Sequence, residues 1–147
     1  MNKLLIHDFG KLKLDKDGVW YHDDQAFVHQ RMSNLFSKSI IKVNGEYFVK
    51  IGKSQVPIQV EDVVLWVLDL DFEIDSIKLY LSNDTEYTLD KNSKLFISAD
   101  DQIYFYMDDE KIKFTKNSYN QITKRLECKS DRYYISFPDI EIPIFKL

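Results

Sequence analysis

Residues able to bind an anion or a metal are concentrated between positions 20 and 31 of the chain. Trp20, His22, His29 and Arg31 all fall within this stretch. His29 and Arg31 lie where a strand is predicted to pass into a helix, and backbone amides at a helix start attract anions. Arginine adds a bidentate donor, so His29 and Arg31 could bind a phosphate or carboxylate. The alternative is a cap of the helix at the protein surface. Histidine is also a metal ligand, but no His or Cys cluster completes a site here.

Acidic residues form two further candidate sites. Acidic and apolar residues alternate in the segment Asp69–Asp75, so an extended chain would place its carboxylates on one face. Such a face could bind a hard cation, although a calcium loop needs a turn to converge its oxygens. The alternative is a half-buried strand whose polar face discourages edge pairing. Glu61 and Asp62 are adjacent, which favours a turn or a binding contact over an acid–base pair, because neighbouring strand residues point to opposite faces.

The composition excludes several functional classes. The chain has 147 residues and only four glycines, with no phosphate-binding glycine loop, zinc signature or catalytic serine elbow, so we expect neither an enzyme nor a cofactor. A net charge of −4 disfavours DNA and RNA, which need a basic surface. A basic cluster in the second half is interpreted as solvated surface or as an anion-binding patch. It comprises Lys111, Lys113, Lys116, Lys124, Arg125, Lys129 and Arg132.

The single cysteine, Cys128, excludes a disulfide within the chain and favours a reducing compartment. The N-terminal residues turn polar too soon for a signal peptide, and no apolar run reaches the length of a membrane span. We therefore expect a cytoplasmic protein whose partners include neither a membrane nor a polymeric nucleic acid.

The second half of the chain repeats the first. Residues 32–60 match residues 118–146 without a gap, at an offset of 86 that carries Asn34 onto Asn120. Self-similarity at a fixed offset indicates one supersecondary unit used twice. The natural binding surface of such a protein is the seam between the copies.

Each copy is predicted to contain a hairpin, a helix and further strands. The early turn at Asp23-Asp24 matches Asp108-Asp109 at an offset of 85. Apolar residues at helical spacing predict helices over Gln30–Ser39 and Lys116–Leu126. Asn44-Gly45 between apolar strands predicts a tight hairpin, because both residues tolerate positive φ.

The whole pattern predicts an α+β fold with about ten strands and two helices. Asn117 or Ser118 could cap the second helix, since a short side-chain oxygen satisfies free amides there. We expect an N-terminal repeat unit over residues 1–66 and a C-terminal repeat unit over residues 67–147, packed together as one globule.

Five motifs follow one another in the first half of the chain. They are Asp17–Trp20, Phe27–His29, Met32–Ser37, Asn44–Val49 and Ile58–Asp62. Their order resembles that of a bacterial family, the domain of unknown function 1285 (DUF1285) family, with the best match over residues 11–66. The resemblance implies a duplicated α+β fold whose C-terminal half is pleckstrin-homology-like. It also implies a small, nucleotide-like ligand bound between the halves and a role in signalling.

The chain departs from the family at positions that bear on a binding site. His29 stands where the family usually has arginine, and Ile51–Ser54 replaces its Thr-Pro-x-Glu element. Val64–Trp66 replaces a Pro-Phe pair. These differences indicate a divergent member with a changed ligand.

The resulting hypothesis is a non-enzymatic, cytoplasmic module that binds a small anionic or nucleotide-like ligand at the seam between the copies. Its predicted lining residues are Trp20, His29, Arg31, Glu61, Asp62 and Trp66. The alternative belongs to a different class: a protein-interaction module that uses exposed strand edges and aromatic side chains.

Overall fold

Two β-sheets form the framework of the protein. The computed structural model describes residues 11–138 and 140–146, and the chain divides between Val64 and Leu65 into two compact units, here called unit 1 and unit 2. The sequence-based boundary lies after Trp66. Each unit combines a sheet with an α-helix, so the predicted α+β class with a duplicated, β-rich architecture is confirmed. The pleckstrin-homology-like description of the second half stays a prediction.

Unit 1 is built on a six-stranded sheet. Its elements in chain order are β1 (Leu12–Leu14), β2 (Trp20–His22), β3 (Gln25–Ala26), α1 (Gln30–Lys38), β4 (Ile40–Val43), β5 (Glu46–Ile51) and β6 (Ser54–Val60). The strands lie in the order β3-β2-β1-β6-β5-β4. The central pair, β1 and β6, is parallel, and the other pairs are antiparallel.

Unit 2 is built on a nine-stranded sheet. Its elements are β7 (Leu65–Phe72), β8 (Ile77–Leu81), β9 (Glu86–Leu89), β10 (Leu95–Ile97), β11 (Ile103–Met107), β12 (Glu110–Phe114), α2 (Lys116–Ile122), β13 (Leu126–Lys129), β14 (Arg132–Ser136) and β15 (Glu141–Lys146). The strands lie in the order β13-β14-β15-β10-β11-β12-β7-β8-β9. The first three strands of the unit therefore extend its sheet beyond β12.

The last six strands of unit 2 repeat the sheet of unit 1 strand for strand. The order β12-β11-β10-β15-β14-β13 corresponds to β3-β2-β1-β6-β5-β4, and the central pair β10–β15 is again parallel. The register repeats as well, because Phe48 faces Pro57 as Tyr134 faces Pro143. The sequence offset of 86 is thus confirmed by the backbone pairing of these strands.

Matching hairpin turns join β4 to β5 and β13 to β14. The values of φ are +53° at Asn44 and +83° at Gly45, which confirms the predicted hairpin, and +52° at Ser130 and +66° at Asp131. Two consecutive positive φ values define the tight turn whose twist matches that of the flanking strands. Glycine adopts this conformation without steric cost, whereas an aspartate does so at some cost.

Local sequence patterns miss three short strands. β10 and β12 have parallel partners distant along the chain, and β3 has only two residues. The second helix is shorter than predicted, since α2 ends at Ile122 and a 3-10 turn follows over Thr123–Arg125. The prediction of a cap at Asn117 or Ser118 is wrong: Thr115 is the N-cap, because its extended backbone lets its side chain accept from the amide of Ser118.

Buried apolar side chains alternate with more exposed polar ones along a strand such as β8. In β8, Ile77, Leu79 and Leu81 are buried and alternate with half-buried Lys78 and Tyr80. Among the described residues, no helix has the length and apolar character that crossing a bilayer requires.

Candidate functional site

Trp20, the first predicted lining residue, lies in the core of unit 1. Its side chain is 1% exposed, stacks on Phe27 at 6.1 Å and meets the ring of Phe36 edge-on at 5.6 Å. Its indole nitrogen donates to Oγ of Ser37 at 3.0 Å. These contacts join β2 to α1 and account for the burial of both Trp20 and Phe36.

His29 and Arg31 are exposed at the start of α1. His29 is the N-cap residue with an extended backbone, and its side chain makes no capping hydrogen bond. The backbone amides of Met32 and Ser33 donate to the carbonyl oxygen of His29. Anion binding by this pair of side chains stays a prediction.

Glu61 and Asp62 directly follow β6 and are exposed. The carboxylate of Glu61 pairs with Nζ of Lys13 at 3.4 Å, and its backbone amide donates to the carbonyl oxygen of Leu14 at 2.9 Å. Glu61 therefore joins the end of β6 to β1. The ion pair is well exposed, so solvent screening leaves it a small part of the stability.

Trp66 belongs to unit 2, whereas the other five predicted residues belong to unit 1. It lies in β7, is 6% exposed and pairs with Lys113 of β12. Its amide donates to Oγ of Ser82 at 3.1 Å, and its carbonyl oxygen accepts from the amide of Ser82 at 2.9 Å. Both tryptophans of the predicted site are thus buried structural residues within their own units.

The acidic side chains of β7 have protein partners. Asp69 accepts from Nε2 of Gln121 at 2.9 Å, which holds the pKa of this carboxyl below its usual value. Asp71 accepts from the hydroxyl of Tyr80 at 2.7 Å. Over residues 11–138 and 140–146, no group of three or more His, Cys, Asp or Glu side chains converges on a metal site.

A cavity of about 530 Å³ lies in unit 2 at the hairpin of β14 and β15, and we call it the β14–β15 cavity. Its lining includes three aromatic and three charged side chains, namely Asp131, Arg132, Tyr133, Tyr134, Phe145 and Lys146. The ammonium group of Lys146 lies 5.0 Å from the centroid of the Tyr133 ring. A smaller cavity of about 260 Å³ shares Tyr133 and Lys146 and extends to the loop after β10. The charged lining residues leave a net positive charge beside aromatic rings.

Phe145 also belongs to an aromatic row across the sheet. Its cross-strand partner is Phe96 at 5.9 Å, which in turn pairs with Tyr104 at 5.7 Å. Lys111 lies diagonally across from Tyr104 on the same face, and its Nζ is 4.3 Å from the centroid of the Tyr104 ring. Burial raises the pKa of Tyr104, while Phe145 remains 43% exposed. Aromatic surface is thus accessible at the cavity.

The internal duplication shows which of these side chains the scaffold does not require. Four positions around the β14–β15 cavity change chemical character between the copies: Gly45 becomes Asp131, Glu46 becomes Arg132, Gln59 becomes Phe145 and Val60 becomes Lys146. The same strands pair in the same register in both units, so neither the cations nor the ring is needed to build the hairpin. Sequence reasoning places only Arg132 in a candidate patch. Comparing the two copies position by position is the signal that finds all four.

Two solved structures share the fold. One is a DUF1285 family protein from Silicibacter pomeroyi DSS-3, 11% identical, with a TM-score of 0.65 over 97% of this chain and 88% of that chain. The other is a DUF1285 family protein from Shewanella baltica OS155, 20% identical, with a TM-score of 0.54 over 77% of this chain and 90% of that chain. The chain has a DUF1285-like fold. The resemblance carried by the motifs of residues 11–66 is therefore confirmed at the level of the fold. No protein-family model and no curated protein matches the sequence.

Proposed function

We propose that the protein is a non-enzymatic, cytoplasmic signalling module that binds a small anionic ligand with an aromatic ring, such as a nucleotide. The proposal keeps the ligand class expected from the sequence and assigns it to the β14–β15 cavity of unit 2. The observation that carries it is the replacement of Glu46, Gln59 and Val60 of the first copy by two cations and a ring around this cavity.

Size and chemistry both support this assignment. A volume of about 530 Å³ is within the range of small-molecule sites. Arg132 and Lys146 supply positive charge, and a guanidinium can grip a phosphate with two parallel hydrogen bonds. Tyr134 and Phe145 share one face of the β14–β15 pair and supply rings against which a base can pack. The exposed thiol of Cys128 is consistent with a reducing compartment.

A thermal-shift screen tests the proposal directly. The panel contains mononucleotides, cyclic dinucleotides, the matching nucleosides, phosphorylated sugars and inorganic phosphate. A ligand that binds only the folded state stabilises it by about 2.7 kcal/mol at a hundredfold excess over Kd. We expect a saturable shift from a nucleotide and a much weaker shift from its nucleoside or from phosphate alone, because the cavity offers rings and cations together.

Variants that carry the first copy's residues show where the ligand binds. Arg132→Glu, Phe145→Gln and Lys146→Val together should abolish the shift without unfolding the protein, because unit 1 accommodates those residues at the same strand positions. The matched control is Glu46→Arg, which changes charge at the equivalent position of unit 1 and should leave the shift unchanged. A panel with no saturable hit, or a triple variant that still binds, would refute the proposal.

A further inference from the structure

In unit 2, the outer edge of β12 is covered by a strand. β7 pairs with it in parallel, with Ile112 opposite Leu65 and Phe114 opposite Val67. Phe114 is 4% exposed, and its ring lies 6.1 Å from that of Phe105. Parallel addition of an extended segment to this edge is therefore part of the fold.

Helix α2 holds the same strand through three side chains. Oγ of Ser118 donates to the carbonyl oxygen of Val67 at 2.6 Å, and Nδ2 of Asn117 donates to that of Leu68 at 3.1 Å. Nε2 of Gln121 donates to Asp69. The edge of β12 and the start of α2 thus form a trough that holds one edge of β7, while the other edge of β7 pairs with β8.

The corresponding trough of unit 1 is uncovered in the described part of the chain. β3, the counterpart of β12, is the end strand of its sheet, and both of its residues are exposed. Val28 directly precedes the N-cap His29, as Phe114 directly precedes the N-cap Thr115. Yet Val28 is 86% exposed where Phe114 is 4% exposed.

The helix side of the unit 1 trough is more apolar than its counterpart. At the offset of 86, the positions of Asn117, Ser118 and Gln121 are occupied by Arg31, Met32 and Leu35. Leu35 is 42% exposed. Arg31 retains a donor able to reach a backbone carbonyl, while Met32 and Leu35 replace hydrogen-bonding groups by apolar surface. Such a trough favours an apolar strand over one rich in polar side chains.

We propose that the β3–α1 trough of unit 1 binds an extended, predominantly apolar segment of a protein partner, which adds to β3 as a parallel strand. The equivalent trough in the same chain identifies this occupant, since it holds the segment Leu65-Trp66-Val67-Leu68. Main-chain hydrogen bonds to the sheet edge would supply affinity, and Val28 and Leu35 would select apolar side chains. This surface is separate from the β14–β15 cavity and does not depend on the ligand proposed there.

The test uses the full chain and a labelled peptide with the sequence of residues 63–71, extended by lysines for solubility. Fluorescence anisotropy should show saturable binding. Val28→Asp and Leu35→Asp should each weaken it about tenfold or more, because the peptide would desolvate a carboxylate that has no partner in an apolar contact. Leu35→Met should retain binding. The matched control is Val43→Asp, on the opposite edge strand β4, where Val43 is 40% exposed.

The other outcomes contradict the proposal in different ways. Absence of saturable binding to the unmodified chain would refute it. If Val43→Asp weakens peptide binding as much as Val28→Asp does, the peptide binds at the β4 edge instead. If neither Val28→Asp nor Leu35→Asp changes the affinity, the peptide replaces β7 in unit 2. Self-association of the chain without peptide, abolished by Val28→Asp in sedimentation, would make a second copy the occupant.

Discussion

Oγ of Ser118 donates a 2.6 Å hydrogen bond to the carbonyl oxygen of Val67, and this bond joins α2 to an irregularity in β7. The register between β7 and β8 shifts between Val67 and Asp69, so the bulge turns backbone groups out of the regular ladder. The amide of Thr115 donates to the same carbonyl at 3.1 Å. Ser118 is fully buried, which makes it part of the structural support of β7.

Removing this hydroxyl should destabilise the protein. Ser118→Ala leaves one of the two donors to the Val67 carbonyl in place, so we expect a loss of about 1 kcal/mol in the free energy of unfolding. Asn120→Ala, at an exposed position of the same helix, should change it by less than about 0.5 kcal/mol. Urea denaturation measures both, and a Ser118→Ala protein as stable as the Asn120→Ala protein would contradict the structural role.

Replacing Gly45 by a residue with a side chain should destabilise the protein, because the positive φ at this position is unfavourable for such residues. Its φ is +83°, and a Cβ built there meets no atom within 4 Å. Gly45→Ala should therefore cost about 1 kcal/mol through backbone strain. Gly45→Asp, which copies the residue of the second repeat, should cost roughly half as much because aspartate tolerates this conformation better. Equal stability of all three proteins in urea would contradict the argument.

Alkaline stability should depend on Tyr80. Its hydrogen bond to Asp71, together with partial burial and neighbouring charges, raises the pKa of Tyr80 from 10.0 to about 12. The folded protein thus retains a proton that the unfolded chain releases. The stabilisation is complete below pH 10 and is lost as the pH rises towards 12. Melting temperatures across this range should fall less steeply for Tyr80→Phe than for the unmodified protein, and parallel curves would disprove the coupling.

Arg125 should stabilise unit 2 although it belongs to a cluster interpreted from the sequence as solvated surface or an anion patch. Its guanidinium lies 4.3 Å from the ring centroid of Phe72 and 5.7 Å from that of Phe137. Arg125→Ala should cost about 0.5–1 kcal/mol through these contacts. Lys124→Ala, at the exposed neighbouring position, provides the control. If both variants unfold at the same denaturant concentration, the ring contacts contribute nothing measurable.

Much of the fold could be predicted because the repeat preserves its turns and pairing. The Asn44-Gly45 hairpin follows from local backbone chemistry, and the offset of 86 carries its register into the second copy. Local patterns miss the strand Glu110–Phe114, in which three of five residues are charged, although the turn at Asp108-Asp109 joins it to Ile103–Met107. Its parallel partner, Leu65–Val67, lies far along the chain. Local patterns hold no information on such a pairing.

The candidate site was harder to predict for a different reason. Trp20 is a large aromatic residue near histidines, which makes it a candidate site residue in the sequence. In the structure it is buried, and its indole nitrogen donates to Ser37 within the core. Arg132 and Lys146 both line the cavity, but they belong to different strands and no local motif links them. A residue-by-residue search for chemical motifs therefore favours the core tryptophan and misses the cavity.

The parallel pair at the centre of each sheet has a consequence for synthesis of the protein on the ribosome. Unit 1 can complete its sheet only once Val60 has emerged to pair with Leu14, and unit 2 only once Lys146 can pair with Ile97. Until then, one edge of β1 or of β10 is unpaired in the nascent sheet, because its parallel partner, β6 or β15, is synthesised much later. Pairing across such sequence separation slows folding. Unit 1 should therefore acquire protease resistance on stalled ribosomes in one step once β6 has emerged, and unit 2 in one step once β15 has emerged.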